Sequence, residues 1–385
     1  MRVAFDGRSL SARALRGWDR YTVGLVDALT RLGVEVTLFH EPGVPPQPEH
    51  VGDIDCNLVA IAARRGLYWE QVAVPRALRR GKFDLYHAPA EHGVPLVRSC
   101  PAILTVHSVT DHSYVDLVRR GQLAGPVARY LGYEARPYRW TWSNLYWRSQ
   151  VLRASHILAP SDFARGEIIK FLHVAPDRVT TTRLAVHSQF CKPPRSQPER
   201  AAVLQRLGVR APYILYVGGF EPHKNVSGLL ETFSLVRTRQ PHLSLVVVGS
   251  KGIPPGLADD AAVRFLADVT DDLNDLYDGA ELFVSMSWRE TFCLPALEAM
   301  TRGVPAVVSG WGATPEVVVD GGCLVDPRFP DRAAEAINTL LNRSDRDQLA
   351  AAARAAAARF DWSRTARQTL QVYRDSIAGT SSGAN

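Results

Sequence analysis

Long apolar runs are missing from this chain. None of its 385 residues opens a stretch of roughly eighteen apolar positions, so no segment reads as a membrane span. The start, Met1-Arg-Val-Ala-Phe-Asp, enters a strand pattern at once and lacks a signal peptide's apolar stretch. Cysteine is scarce: Cys56, Cys100, Cys191, Cys293 and Cys323 are odd in number, scattered and without a Cys-x-x-Cys spacing. That pattern argues against a disulfide framework or a zinc site, and for a reducing cytoplasm. No established RNA or DNA motif is present either, and the basic residues behind the net charge of +6 are spread along the chain. Nucleic acid is therefore not an expected partner. Three readings of the charge remain: attraction to phosphorylated ligands, attraction to an anionic membrane surface, or a merely solvated basic surface.

What is present is the composition of a globular protein too long for one ordinary core, with 46% hydrophobic and 22% charged residues. Short apolar runs alternate with helical patterns. Arg2-Val-Ala-Phe, Val34 to Phe39, Leu85-Tyr-His, Ala102 to His107 and His156 to Ser161 read as strands, with helices at Tyr21 to Leu32 and Asp162 to Leu172. Between Val186 and Arg210 the rhythm lapses into Pro193-Pro194, Ser196 and Pro198, then resumes at Tyr213 to Gly219, Leu243 to Gly249 and Pro305 to Ser309. The expected architecture is α/β, with two Rossmann-like domains facing a central cleft. We expect an N-terminal domain over 1–190, a C-terminal domain over 191–360, a helix over 361–378 crossing back to the first domain, and a frayed tail over 379–385.

The densest chemistry lies in Glu290-Thr-Phe-Cys-Leu-Pro-Ala-Leu-Glu298. A buried strand precedes it, and a helix opened by proline and closed by Gly303 follows. Glu290 falls in the loop at the strand's C-terminal end, and Glu298 about a turn into the helix. Between them the N–H groups of Phe292, Cys293 and Leu294 point out of a helix N-terminus, where phosphate is readily bound. A ligand with hydroxyls at both ends and phosphates in the middle, such as a nucleotide-sugar, fits that layout.

With these residues the chain resembles the retaining glycosyltransferases of family 4, which have the two-domain GT-B architecture. The resemblance is strongest from about Tyr213 to Pro327 and continuous but weaker before that. It implies that Glu290 contacts sugar hydroxyls, Glu298 contacts the ribose, and the backbone of Phe292, Cys293 and Leu294 approaches the sugar and diphosphate. Val217-Gly-Gly-Phe-Glu-Pro-His-Lys-Asn225 resembles the family's strand-to-helix turn. It implies donor approach at Gly218 and Gly219, with Lys224 meeting the diphosphate. Many members carry arginine where this chain has Gly219, and glycine where it has Thr291 and Cys293; His223 is a partial substitute for the missing cation. Cys293 reads as a small packing residue rather than a nucleophile, since no base is visibly paired with it.

Thr105-Val-His107-Ser-Val-Thr-Asp111 resembles a family segment whose histidine reaches the donor sugar or reaction centre. His107, Lys224 and Glu290 form the expected catalytic set. The stretch from Gly7 to Tyr21 corresponds to the family's glycine-rich loop, so Gly17, Trp18 and Asp19, together with Asp111, are candidate acceptor contacts. Trp18 either restricts or stacks on an acceptor, or packs in the core. Glu316, after the Ser309-Gly-Trp-Gly loop, is a secondary donor-pocket candidate. Trp140, Trp142 and Trp147 form either a sugar-stacking or membrane-surface element or an amphipathic helix face.

The implied function is metal-independent transfer of a hexose-type sugar from a nucleoside-diphosphate-sugar to an acceptor hydroxyl, with retention, in natural-product or glycan biosynthesis. Asp259-Asp260 and Asp271-Asp272 are adjacent pairs whose side chains diverge, so no metal site and no cofactor is expected. The expected partners are the nucleotide-sugar and a small-molecule or glycan acceptor, in the cytoplasm; a peripheral place at the inner membrane face is the less favoured setting. Two alternatives share the motifs: a nucleotide-sugar epimerase of similar architecture, and a non-catalytic nucleotide-sugar-binding partner.

Overall fold

Apolar runs such as Val3-Ala-Phe5 and Leu245-Val-Val-Val248 have no polar face to turn to water, so they form strands covered on both sides. A computed structural model describes residues 1–12, 15, 17–62, 66–90, 92–109, 145–146, 148–249, 260–267 and 269–382. Within these, every strand pairs in parallel. The chain divides into one unit of Met1–Ala185 with Asp361–Asn385 and a second of Val186–Phe360. The first break falls at the start of the segment where the strand–helix rhythm lapses.

The first unit holds β1 (Arg2–Asp6), β2 (Glu35–His40), β3 (Asn57–Ala60), β4 (Leu85–Ala88), β5 (Ala102–Thr105), β6 (His156–Ala159) and β7 (Val179–Thr181). They are ordered β3-β2-β1-β4-β5-β6-β7. The second unit holds β8 (Tyr213–Val217), β9 (Ser244–Gly249), β10 (Val263–Ala267), β11 (Leu282–Ser285), β12 (Ala306–Ser309) and β13 (Gly322–Val325). Their order is β10-β9-β8-β11-β12-β13. Both sheets therefore reverse direction beside their first strand, between β1 and β4 and between β8 and β11. Ligands of such sheets bind outside the strands' carboxyl ends at that reversal.

Two helix boundaries differ from the sequence reading. The first helix starts at Gly17 and runs to Arg31, so Trp18 and Asp19 lie in its first turn rather than in a glycine-rich loop. The last helix spans Trp362–Ser382, beyond the tail expected from residue 379. A single glycine, Gly379, costs a helix only about 1 kcal/mol and does not end it here. These two helices pack together in the first unit, and Gly24 is what lets them. An added Cβ at Gly24 would lie 2.3 Å from Cε2 of Trp362. Gly24→Ala is expected to destabilise the protein by about 1–3 kcal/mol through overpacking, read as a lowered midpoint in a thermal or urea melt.

Candidate active site

The residues of the second motif are built by the turn that leaves β8. Pro222–Lys224 form one 3-10 turn, and Asn225 follows in the left-handed region at φ 50°. Asparagine tolerates that conformation and caps the next helix, Val226–Arg237, its Oδ1 accepting from Gly228 N–H at 3.2 Å. Its amide also donates to the Met286 carbonyl at 2.9 Å, while Trp288 N–H donates to the His223 carbonyl at 2.8 Å. The loops after β8 and β11 are thereby tied together at the sheet's reversal point. Sequence reasoning passed over Asn225, although its place at a helix start is an N-cap signal.

Across those loops Lys224 Nζ donates to Glu290 Oε1 at 2.8 Å. The two side chains are 22% and 13% exposed. Burial works against both charges, but their mutual attraction outweighs it, raising the Lys224 pKa and lowering that of Glu290. The Glu290 backbone is fixed as well. Its carbonyl accepts from Ala313 N–H at 2.8 Å, and it bridges to Gly312, which sits at φ +93°. A Cβ at Gly312 would come within 2.3 Å of that carbonyl, so glycine is required for the approach. Three strand-end loops hold Glu290 in place.

Glu298 lies deeper, 1% exposed on the helix Leu294–Thr301, and accepts from the Tyr277 hydroxyl at 2.8 Å. Cys293 caps this helix at φ 76°, a left-handed conformation that favours glycine. The left-handed φ explains why glycine suits that position; here the backbone holds a buried cysteine instead. Burial raises the Cys293 thiol far above its ordinary range, which fits packing rather than nucleophilic chemistry. Phe292 packs edge-on against Phe360, with centroids 5.5 Å apart, so only its backbone is left for a ligand. Leu294 N–H has no intrahelical acceptor, as at any helix start.

Gly218 N–H donates to the Val248 carbonyl at 2.9 Å, continuing the β8–β9 ladder, and the Gly219 carbonyl accepts from the Tyr216 hydroxyl at 2.8 Å. The space beside Gly219 is not filled by a cation. A Cβ there would lie 2.0 Å from Oε2 of Glu221, so a carboxylate occupies that side. His223 is pushed down in pKa by burial and by Lys224, and is therefore neutral rather than a second positive charge. Trp288 and Trp311, whose rings lie 5.9 Å apart, flank the Glu290 loop, and the Arg328 guanidinium lies over Trp311 at 5.2 Å. Glu316 is half-buried on the short helix Thr314–Val318.

In the first unit, His107 Nε2 faces the Pro89 carbonyl at 2.8 Å and must donate to it, so Nε2 carries a proton. Its ring meets Tyr21 edge-on at 4.9 Å. Gly17 is exposed, Trp18 half-buried and Asp19 1% exposed. Asp111, Trp140, Trp142 and Trp147 lie outside the described residues. Among the described residues no group of three or more His, Cys, Asp or Glu side chains is placed to hold a metal ion, and no helix is long and apolar enough to cross a membrane.

Behind His107 runs a buried chain: Tyr373 OH to His87 Nδ1 at 2.5 Å, His87 Nε2 to Thr105 Oγ1 at 2.7 Å, and Thr105 Oγ1 to Tyr21 OH at 2.9 Å. Burial first, and His107 second, push His87 down to about 3. The folded protein keeps it neutral, whereas the unfolded chain protonates it near pH 6.5. Its contribution is therefore complete above about pH 6.5 and is lost as pH falls toward 3. The unfolding free energy from urea melts should decline from pH 7 to 5, by up to about 1.4 kcal/mol per pH unit from this one group. A His87→Gln chain should show a shallower decline.

Comparison with known proteins bears on both units. Residues 15–189 match the family model "Glycosyltransferase Family 4", and residues 211–343 match "Glycosyl transferases group 1". The O-antigen chain mannosyltransferase B of Escherichia coli is 32% identical, over 94% of this chain and 96% of that protein. A D-inositol 3-phosphate glycosyltransferase from Thermobispora bispora is 28% identical, over 94% and 90%. Among solved structures, an Anabaena protein in complex with UDP-glucose superposes with a TM-score of 0.67 at 18% identity, covering 100% of both chains.

Proposed function

The chain belongs to glycosyltransferase family 4 and is of the GT-B type, and from that premise we propose that it moves a hexose-type sugar from a nucleoside-diphosphate-sugar to an acceptor hydroxyl with retention. The observation that carries the reading is the Lys224–Glu290 pair, held by three loops at the β8–β11 reversal with Glu298 buried behind it. Glu298 takes the ribose hydroxyls, Lys224 the diphosphate and Glu290 the sugar hydroxyls; His107 is the contribution of the first unit. The mannosyltransferase and inositol-phosphate relatives support the reaction class, and the UDP-glucose complex supports the donor class.

The acceptor oxygen attacks the anomeric carbon on the face from which the diphosphate leaves. The carbon–oxygen bond to phosphate breaks, its electron pair stays on the diphosphate, and the acceptor proton passes to a departing phosphate oxygen. No covalent glycosyl-enzyme is invoked. Lys224 and the helix start at Leu294 stabilise the charge that develops on the leaving group. The glycan relative favours glycan assembly over natural-product tailoring as the setting.

The test is a panel of nucleotide-sugars screened by thermal shift, followed by transfer assays with the product's anomeric configuration read by NMR. We expect an unchanged anomeric configuration and undiminished turnover in excess EDTA. Conversion of the donor without an acceptor would replace the reading by an epimerase, and donor binding without turnover by a non-catalytic partner.

A further inference from the structure

At the reversal point of the first sheet lies a group of charged and polar side chains that the proposed reaction has not used. Asp6 ends β1 and Tyr86 lies on the neighbouring β4. The Asp6 carboxylate takes Arg8 by both edges, with Nε at 3.0 Å from Oδ1 and Nη2 at 2.7 Å from Oδ2. Arg8 also lies 4.0 Å from Glu70 Oε1 and over the Trp69 ring at 4.8 Å, and Tyr146 donates to the other Glu70 oxygen. Asp6 and Glu70 are 8% and 4% exposed.

Two features mark this as more than a structural ion pair. The Tyr86 hydroxyl is fully buried and has no hydrogen-bond partner among the described residues. A buried hydroxyl without a partner is a cost that phenylalanine would avoid. Gly93, at φ +113°, lies over the same spot: an added Cβ would stand 3.5 Å from both the Tyr86 hydroxyl and Asp6 Oδ2. The two polar atoms converge where the chain places no side chain. Burial first, then the nearby Asp6 carboxylate, hold the hydroxyl well above its ordinary pKa, so it remains a donor.

We propose that Asp6, Tyr86 and Gly93 form the acceptor subsite, and that it selects a neutral polyhydroxylated group over a phosphorylated one. This rests on the glycosyltransferase reading above. The charge balance decides the class. Arg8 is already shared by two carboxylates, and Arg153, which also faces Glu70, donates to the Val94 carbonyl at 3.1 Å, so among the described residues the group holds no spare cation to draw a phosphate. A carboxylate oxygen and a phenol hydroxyl instead pair with the donor and acceptor sides of sugar hydroxyls.

The experiment uses the full chain with the donor found by thermal shift, and methyl α-mannoside against mannose 6-phosphate as acceptor probes. Acceptor binding is also measured without donor, by saturation-transfer NMR. For Tyr86→Phe we expect an unchanged or higher melting temperature, an unchanged donor Kd, and at least a tenfold weaker engagement of methyl α-mannoside. Mannose 6-phosphate should be the poorer acceptor in the unaltered protein. Equal use of the mannoside by Tyr86→Phe, a preference for mannose 6-phosphate, or no detectable mannoside binding overturns the subsite. A lower melting temperature with unchanged acceptor use assigns the hydroxyl to the fold, and also overturns it. Mannoside binding that needs Tyr86, without transfer from any donor, upholds the subsite and refutes the reaction. Transfer that ignores Tyr86 does the reverse.

Discussion

Lys224→Ala should lower turnover by about 100- to 1,000-fold, the scale seen when one preorganised stabiliser of a leaving or transition-state charge is removed. Two losses combine. On the proposed reaction the departing diphosphate loses the cation assigned to it, and among the described residues it is Glu221, not an arginine, that lies beside Gly219. Glu290 also loses the partner that holds it ionised in a largely buried place. The second loss should appear in stability, at about 1–3 kcal/mol. Lys224→Ala combined with Glu290→Gln should recover most of that stability and none of the turnover. Lys224→Arg keeps the charge but not the compact ammonium geometry and should fall between. If Lys224→Ala retains wild-type turnover and donor affinity, the donor site is misassigned.

Much of the site's order along the chain was legible, because it is carried by local pattern. Strand–turn–helix signals put Lys224 after β8 and Glu290 after β11, and the reversal rule for parallel sheets brings those strand ends together. What could not be read were contacts between segments distant in sequence. The Lys224–Glu290 ion pair spans 66 positions, and the Tyr277–Glu298 bond depends on two helices meeting. Cys293 read as a small packing residue where many members carry glycine; only its φ of 76° shows that the backbone conformation makes glycine suitable there. Asp6 and Arg8 escaped notice for a related reason. A short Asp-Gly-Arg sequence has no helical or strand period, and Glu70 and Tyr86 join it only through the fold. The helix start at Gly17 was missed because glycine and tryptophan read as loop residues, yet the face from Tyr21 to Leu29 buries enough apolar surface to extend the helix backward.

The same dependence on meeting helices gives Arg302 the largest expected effect on stability. Its guanidinium donates to both carboxylate oxygens of Asp278, Nε at 2.7 Å from Oδ1, and Nη1 reaches the carbonyls of Phe190, at 3.2 Å, and Lys192. Both side chains are almost wholly buried, 5% and 7% exposed. Arg302→Met would strand a buried carboxylate and two carbonyls, at a cost of about 3–5 kcal/mol. For a unit of this size the melting transition should fall by on the order of 10 °C, measured by calorimetry on the full chain. Adding Asp278→Asn should return a good part of it, since the stranded charge is then gone; no recovery would mean that packing, not charge, is what Arg302 supplies. The position has a functional consequence too. Arg302 caps the C-terminus of the helix that carries Glu298, and Asp278 ends the helix that carries Tyr277. The ion pair thus fastens the two helices whose side chains meet in the Tyr277–Glu298 bond. Arg302→Met should weaken donor binding several-fold more than it lowers turnover at saturating donor, because Glu298 loses its register while Lys224 and Glu290 keep theirs.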